Sequence, residues 1–392
     1  MNTTAMGRSR RRALATMSTV AAIVLGTIAA LVANTLPVFL AVMSRVLQLS
    51  ESQSGLLAFA DMGGIAVGTI ACAFFPAVVH RLSWRGTAAA GLILLALANV
   101  SASQVSGFAW LLASRLLAGV GSGVVMAVTY ASLAGGSGAR ALAIFNFVQL
   151  GSGWLGMPLL APLAEHRGPQ VLFGLIALLA LGSLLLCPFL PVGRQGIEPG
   201  FVGVPEKVSP VGWTAISAAL LFFTSVGAVY AYLAFMGVAW GGIPAHVEAD
   251  LSTMMFAGML GGLTVAILGA RLGYRRPLYV SYVFLLVSLA MLAALRPVQL
   301  FLPLICIFAF SWNVLTPYQF EAVTRVDRSS SAAMLVNATC LGGLAIGPAF
   351  AGYLVSADFL RVNVSSWCAC GLSLLLLLVA LKASDRQRRG LR

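Results

Sequence analysis

Apolar runs of about 18 residues or more recur along the whole chain, each long enough to cross a bilayer as a helix. They fall at 18–43, 52–75, 86–103, 107–133, 141–163 and 169–190, and again at 212–241, 250–269, 277–295, 298–321, 331–356 and 364–382. Twelve spans of about 22 residues take up some two thirds of the 392 residues and leave only short tails and loops. A composition of 60% hydrophobic and 9% charged residues points the same way, because a water-soluble globule built from it would precipitate. Soluble enzymes, nucleic-acid-binding modules and receptors with a large extramembrane sensor are thereby excluded. The expected fold is an all-α membrane protein of twelve transmembrane helices in two six-helix bundles. Residues 1–191 form the first bundle. Residues 192–211, polar and rich in proline and glycine, form a cytoplasmic linker. Residues 212–392 form the second bundle and a basic cytoplasmic tail. A six-plus-six plan is itself a repeat signal, since duplicated bundles in secondary transporters place substrate at their interface and rock about it.

The net charge of +13 suggests nucleic acid until it is placed on this topology. With the N-terminus inside, 19 of the 24 Arg and Lys fall in cytoplasmic segments, Arg45, Arg167, Arg296 and Arg361 fall outside, and Arg115 lies within a helix. This is the positive-inside asymmetry of a multi-pass protein of the cell inner membrane with both termini cytoplasmic. The expected partners are the lipid bilayer, a small-molecule substrate and protons, with no nucleic acid. Arg8 and Arg10 to Arg12 before an apolar stretch also fit a signal peptide, but a run reaching Met43 suits a first spanning helix better. All six cysteines sit in apolar stretches without metal-site spacing, and His80, His166 and His246 lie in loops, so neither a metal nor a cofactor is expected. Those histidines are also poorly placed for acid–base catalysis, and an enzyme is not expected.

Three local patterns carry a family resemblance. In the fourth span, Arg115 is followed by Gly119, Gly121 and Gly123. After the eighth span comes Arg271-Leu-Gly273-Tyr-Arg275-Arg276, and after the second a weaker counterpart, Arg81-Leu-Ser83-Trp-Arg85, with Ser83 in place of the glycine. The eleventh span carries Gly343, Gly347 and Pro348. These patterns resemble the major facilitator superfamily, in its twelve-helix bacterial form. The resemblance implies an intramembrane arginine motif, basic cytoplasmic gating loops at Arg81, Arg85, Arg271, Gly273, Arg275 and Arg276, and a hinge at Gly343, Gly347 and Pro348. That Gly-Pro pattern belongs to antiporters in another helix of the family, so it supports export only weakly.

Charges at membrane depth are costly and each marks a functional hypothesis. Asp61 and Arg115 both lie roughly 12 to 14 Å from the outer side at 1.5 Å per residue, and Asn34 reaches the same level. A cluster of Asp61, Arg115 and Asn34 is therefore expected as the proton-coupling element. Burial disfavours the charged carboxylate and the arginine favours it, so solvent or substrate can tip its protonation. A permanent structural ion pair is the competing reading. Glu321 and Arg325 stand at i, i+4 as a surface pair or a cytoplasmic gate bridge, the surface pair being preferred.

The resemblance also implies that the first, fourth, seventh and tenth helices line a central cavity. The substrate-binding candidates are then Asn34, Arg115, Thr224, Tyr230, Tyr232, Trp312, Asn313 and Thr316, which suit a partly apolar organic ligand. Tyr318 and Gln319 are better placed as membrane-interface residues. With no phosphate-binding loop, ATP drive is not expected. The expected function is proton-coupled secondary active transport of a small organic molecule by alternating access, with efflux preferred over uptake. The alternatives are uptake of an aromatic acid by proton symport and a non-transporting membrane sensor. A monomer is expected.

Overall fold

The computed structural model describes residues 3–74, 76–104, 107–134, 139–191, 207–355 and 359–390. Within them the chain is all helical. The first half comprises α1 (Thr3–Ala29), α2 (Leu31–Asn34), α3 (Leu36–Leu47), α4 (Glu51–Phe74), α5 (Pro76–Ser103), α6 (Phe108–Ala134), α7 (Ala139–Arg167) and α8 (Pro169–Ser183), with a 3-10 turn carrying α8 on to Phe189. The second half comprises α9 (Pro210–Ala239), α10 (Pro244–Leu272), α11 (Arg275–Ala294), α12 (Phe301–Val326), α13 (Ser330–Leu354) and α14 (Leu360–Gly390). Eleven of these segments are long and apolar enough to cross a membrane. Most of the expected linker lies outside the described residues, and α9 opens at Pro210 on a Ser209 cap that accepts from the Gly212 N–H at 2.9 Å.

The first expected span, 18–43, is not one helix. It breaks between Ala29 and Leu36 and continues to Leu47. Pro37 sits at the start of α3 and has no N–H to return to Ala33, so the ladder cannot run through. Thr35 bridges the break by donating its N–H to the Leu31 and Val32 carbonyls. A second interruption lies inside α5, where Ser83 adopts φ 61° and ψ 166°.

Successive spans run in opposite directions, so both chain ends and the loops near 80–85, 273 and 327–329 share one end of the bundle, here the terminal end. The turns near 48–50, 168, 240–243 and 296 share the far end. Without water to drive apolar faces together, helices in a membrane associate through close packing. The glycines of α6 supply it. Gly119 and Gly123 face the backbone of α4 around Asp61, Gly64 and Ile65, and Gly121 faces Gly91 and Leu95 of α5, all so closely that a Cβ would collide. The halves meet where α4 packs on α13, α7 on α10 and α3 on α9.

Candidate functional site

The largest fully buried side chain in the described protein is Arg115 of α6, 1% exposed. Its Nε and Nη2 donate to Asp61 Oδ1 at 2.9 and 2.5 Å, and its Nη1 donates to Asn99 Oδ1 at 2.8 Å. Asn99, on α5, spends its own amide on the Leu95 carbonyl at 2.8 Å. The guanidinium also lies over two rings, Phe39 at 5.2 Å and Phe173 at 5.7 Å. Five of the first half's spans thus converge on one cation, in a site where cation–π attraction reaches about 2 kcal/mol. Asp61 is 2% exposed, and its second oxygen, Oδ2, has no hydrogen-bond partner. Close approach at Gly119, one turn beyond Arg115, brings α6 near enough to α4 for the guanidinium to reach Asp61.

This arrangement corrects one expectation. Asn34 is not part of the cluster: its amide donates to the Gln149 carbonyl of α7 at 2.8 Å, because the break in the first span turns it toward that helix. Asn99 takes the third place. Arg115 is enclosed as well: each of its three nitrogens makes a hydrogen bond, and Phe39 and Phe173 pack beside its guanidinium inside the first half. The sequence does hold a signal for Asn99, an amide close to the far end of its span at the level of Arg115.

Among the other substrate candidates, the structure brings Asn34, Tyr230 and Trp312 together. The Tyr230 hydroxyl donates to the Asn34 carbonyl at 2.9 Å and the Ala33 carbonyl at 3.2 Å, and its ring packs on half-buried Trp312 at 5.3 Å. Thr316 is half-buried, its hydroxyl turned back to the Trp312 carbonyl. Asn313 faces Gly258 and Gly261 of α10. Thr224 lies where α9 meets Gly347. Tyr232 is elsewhere: fully buried near the far end, it donates to the Glu51 carbonyl at 2.7 Å. It joins the contact between the halves, since helical spacing turns it away from Tyr230.

The two basic loops match residue for residue. Ser83 at φ 61°, ψ 166° stands where Gly273 has φ 65°, ψ −178°. Two residues later Arg85 donates to the Leu190 carbonyl at 2.8 Å, and Arg275 donates to Asp385 at 2.6 Å. Each arginine therefore ties its loop to the sixth span of its own half. Arg276 is exposed. The Arg81 and Arg271 side chains lie outside the described residues. Glu321 and Arg325 pair at 2.7 Å with side chains 40% and 51% exposed, which makes them a surface pair. Gly343 and Gly347 press on α9, and α13 runs unbroken through them and Pro348.

Tyr318 and Gln319 are buried, a correction of their placement at the interface. Gln319 Oε1 accepts from the Tyr282 hydroxyl at 3.2 Å, and Tyr282 meets Ser373 Oγ at 2.8 Å. Arg45 and Glu248, at the far end, form an ion pair at 2.9 Å between the halves that sequence reasoning missed. A cleft of about 590 Å³ opens beside it, lined by Ser44, Arg45, Gln48, Glu51 and Phe235. Among the described residues no three His, Cys, Asp or Glu side chains gather as metal ligands would.

A family model described as Major Facilitator Superfamily matches residues 21–348. No curated protein sequence matches. Solved structures share the fold, among them two transporters. The nucleoside transporter NupG, as a point mutant, is 13% identical with a TM-score of 0.72, over 93% of this chain and 99% of that one. A D-xylose-proton symporter is 14% identical with a TM-score of 0.70, over 94% of this chain and 96% of the other.

Proposed function

Because the chain belongs to the major facilitator superfamily, we propose that it is a proton-coupled secondary transporter of an uncharged, partly aromatic or amphipathic small molecule, with Asp61 as the proton carrier. One observation carries this reading: a carboxylate sealed in the first half against Arg115, with its Oδ2 left without a partner. A buried acceptor without a donor is costly. A proton on that oxygen removes the charge, and Arg115 keeps Asn99 and the two phenyl faces as support. The ion pair between α4 and α6 is then weaker. Helix α4 packs on α6 along one face and on α13 of the other half along another, through Gly55 against Gly352. A change in the α4 to α6 bond therefore acts on the element that joins the halves.

The substrate class follows from what Arg115 is doing. With its guanidinium sealed and paired, it offers nothing to a substrate carboxylate, so an aromatic acid is disfavoured. Trp312, Tyr230 and the Asn34 segment offer rings and a few polar groups instead. An uncharged amphipathic molecule leaks through bilayers unaided, so export is the useful direction, and efflux is preferred over uptake. The positive-inside asymmetry places the terminal end in the cytoplasm, which makes the described conformation the one closed to the outside.

The test is accumulation of neutral amphipathic compounds and of aromatic acids in cells lacking their own pumps, with wild type and Asp61→Asn, with and without a protonophore. Wild type is expected to lower accumulation of the neutral compounds in a gradient-dependent way. Asp61→Asn should lose gradient-driven transport while keeping substrate exchange. Concentrative transport surviving in Asp61→Asn removes Asp61 from the coupling.

A further inference from the structure

Two hydroxyls of the second half donate to main-chain carbonyls of the first half that proline has released from their helices. Pro37 has no N–H for Ala33, four residues before it. The Tyr230 hydroxyl takes up that carbonyl at 3.2 Å and its neighbour, that of Asn34, at 2.9 Å. Pro158, inside α7, has none for Trp154, and Ser252 of α10 donates to the Trp154 carbonyl at 2.6 Å. The Trp154 ring packs on Phe256 of α10 beside this bond, with centroids 5.5 Å apart.

A carbonyl that keeps its helical partner gains little from an extra hydroxyl. One without a partner, at membrane depth, needs a donor. The two carbonyls also belong to one connected piece, because the Asn34 amide holds the broken first span to α7 through the Gln149 carbonyl. Among the described residues, these two bonds, the Tyr232 hydroxyl on the Glu51 carbonyl and the Arg45–Glu248 ion pair join the halves toward the far end.

We propose that Pro37 and Pro158 create two carbonyl sockets and that the hydroxyls of Tyr230 and Ser252 are the latch that holds the far end shut. The sockets have two alternative partners. The hydroxyls fill them when the halves close at the far end, and water entering the cleft fills them when the halves part. Because Asn34 couples the sockets, they release together. This rests on the transport reading only for the movement between two closed ends, and its test reads conformation rather than transport.

The experiment is amide hydrogen exchange on the full-length protein in lipid nanodiscs. It compares wild type, Ser252→Ala, Tyr230→Phe, the double variant, Ser252→Thr and Pro158→Ala. Removing each hydroxyl is expected to speed exchange at the far-end turns of α3, α4 and α10 about fivefold, the change given by one net hydrogen bond. The terminal ends of α6 and α12 should not speed up. Ser252→Thr, which keeps the hydroxyl, should behave as wild type. Pro158→Ala gives Trp154 a helical donor and should act like Ser252→Ala, with no further effect when the two are combined. Unchanged far-end exchange in the double variant overturns the latch, as does equal acceleration at both ends, the mark of general loosening. A silent Pro158→Ala overturns the role of the socket.

Discussion

The first half of the chain, α1 to α8, and the second, α9 to α14, bury different polar chemistry. The first half buries a full ion pair, Arg115 with Asp61, about 10 to 15 Å from the far end. The second half buries a neutral network, Tyr282, Gln319 and Ser373, about 10 Å from the opposite end at Gln319. A neutral network needs only hydrogen-bond partners, and the Ser373 hydroxyl can spend itself on the Ala218 carbonyl at 2.6 Å. An ion pair needs a countercharge as well, and loses it when a proton arrives. Under the proposed coupling, a proton therefore acts on the first half, and the second half serves as the frame against which it moves.

The sharpest way to break this comparison is to remove one charge. Arg115→Ala leaves Asp61 buried and uncompensated, and should cost about 3 to 5 kcal/mol of stability in thermal unfolding of the solubilised protein. Adding Asp61→Asn to it should restore much of that loss. If Arg115→Ala costs no more than removing one hydrogen bond in the neutral network, the two halves do not differ in kind.

The next largest effect is expected at Asp327, which ties the second half together at the terminal end. Its Oδ2 accepts from the Ser209 N–H and hydroxyl, both at 2.7 Å, and its Oδ1 accepts from the Ser329 N–H at 2.9 Å. One carboxylate so serves the starts of α9 and α13. Burial works against its charge, but these bonds from Ser329 and Ser209 outweigh it and hold the carboxyl below its ordinary value of 3.8. A depressed carboxyl contributes stability that is full above the ordinary value and is lost as pH falls through the lower folded one. Asp327→Ala should cost about 1 to 3 kcal/mol at neutral pH. The difference from wild type should shrink only in strong acid, measured as unfolding temperature against pH.

The matched loops sharpen the comparison further. Ser83 and Gly273 share a backbone region open in practice to glycine alone, where another residue is strained by about 1 to 3 kcal/mol. Ser83 recovers part of this as a cap, its Oγ accepting from the Gly86 N–H at 3.4 Å, but replacing a capping serine by glycine costs only a few tenths of a kcal/mol. Strain outweighs the cap. Ser83→Gly should therefore raise the unfolding temperature, and Gly273→Ser should lower it. A destabilising Ser83→Gly would show the loop to be relaxed about its serine.

The smallest change is expected at Glu321 and Arg325. Arg325 also lies over the Tyr274 ring at 4.6 Å, in the open at the terminal end. An exposed i, i+4 pair contributes about 0.3 to 0.5 kcal/mol, so Glu321→Gln should shift unfolding within that range and less at high salt.

Much of the site was legible before folding because it obeys depth. Asp61 and Arg115 could be matched since each was the lone charge in an apolar span and each could be counted from the same end. Asn99 leaves no comparable mark in the sequence, because an amide carries far less cost in an apolar span than a charge does. Depth along an unbroken first span puts Asn34 level with Arg115, but Pro37 marks the break that turns it away. Gln319 looked interfacial by its distance from the helix end. Only the approach of Tyr282 from α11 shows it to be enclosed.

The sequence by itself determined the twelve apolar segments, the placement of charge around them, the pairing of Asp61 with Arg115 and the two basic loops. Length, hydropathy and the cost of a buried charge act along a single helix, so one dimension suffices to read them. Only the tertiary structure decided which face of each helix meets which neighbour. It placed Asn99 rather than Asn34 beside Arg115, buried that arginine among the helices of the first half, and set Tyr230 and Ser252 on carbonyls of the opposite half. Those outcomes depend on the rotation and close approach of helices far apart in the chain, and close packing in a membrane, unlike hydropathy, has no signature within one segment.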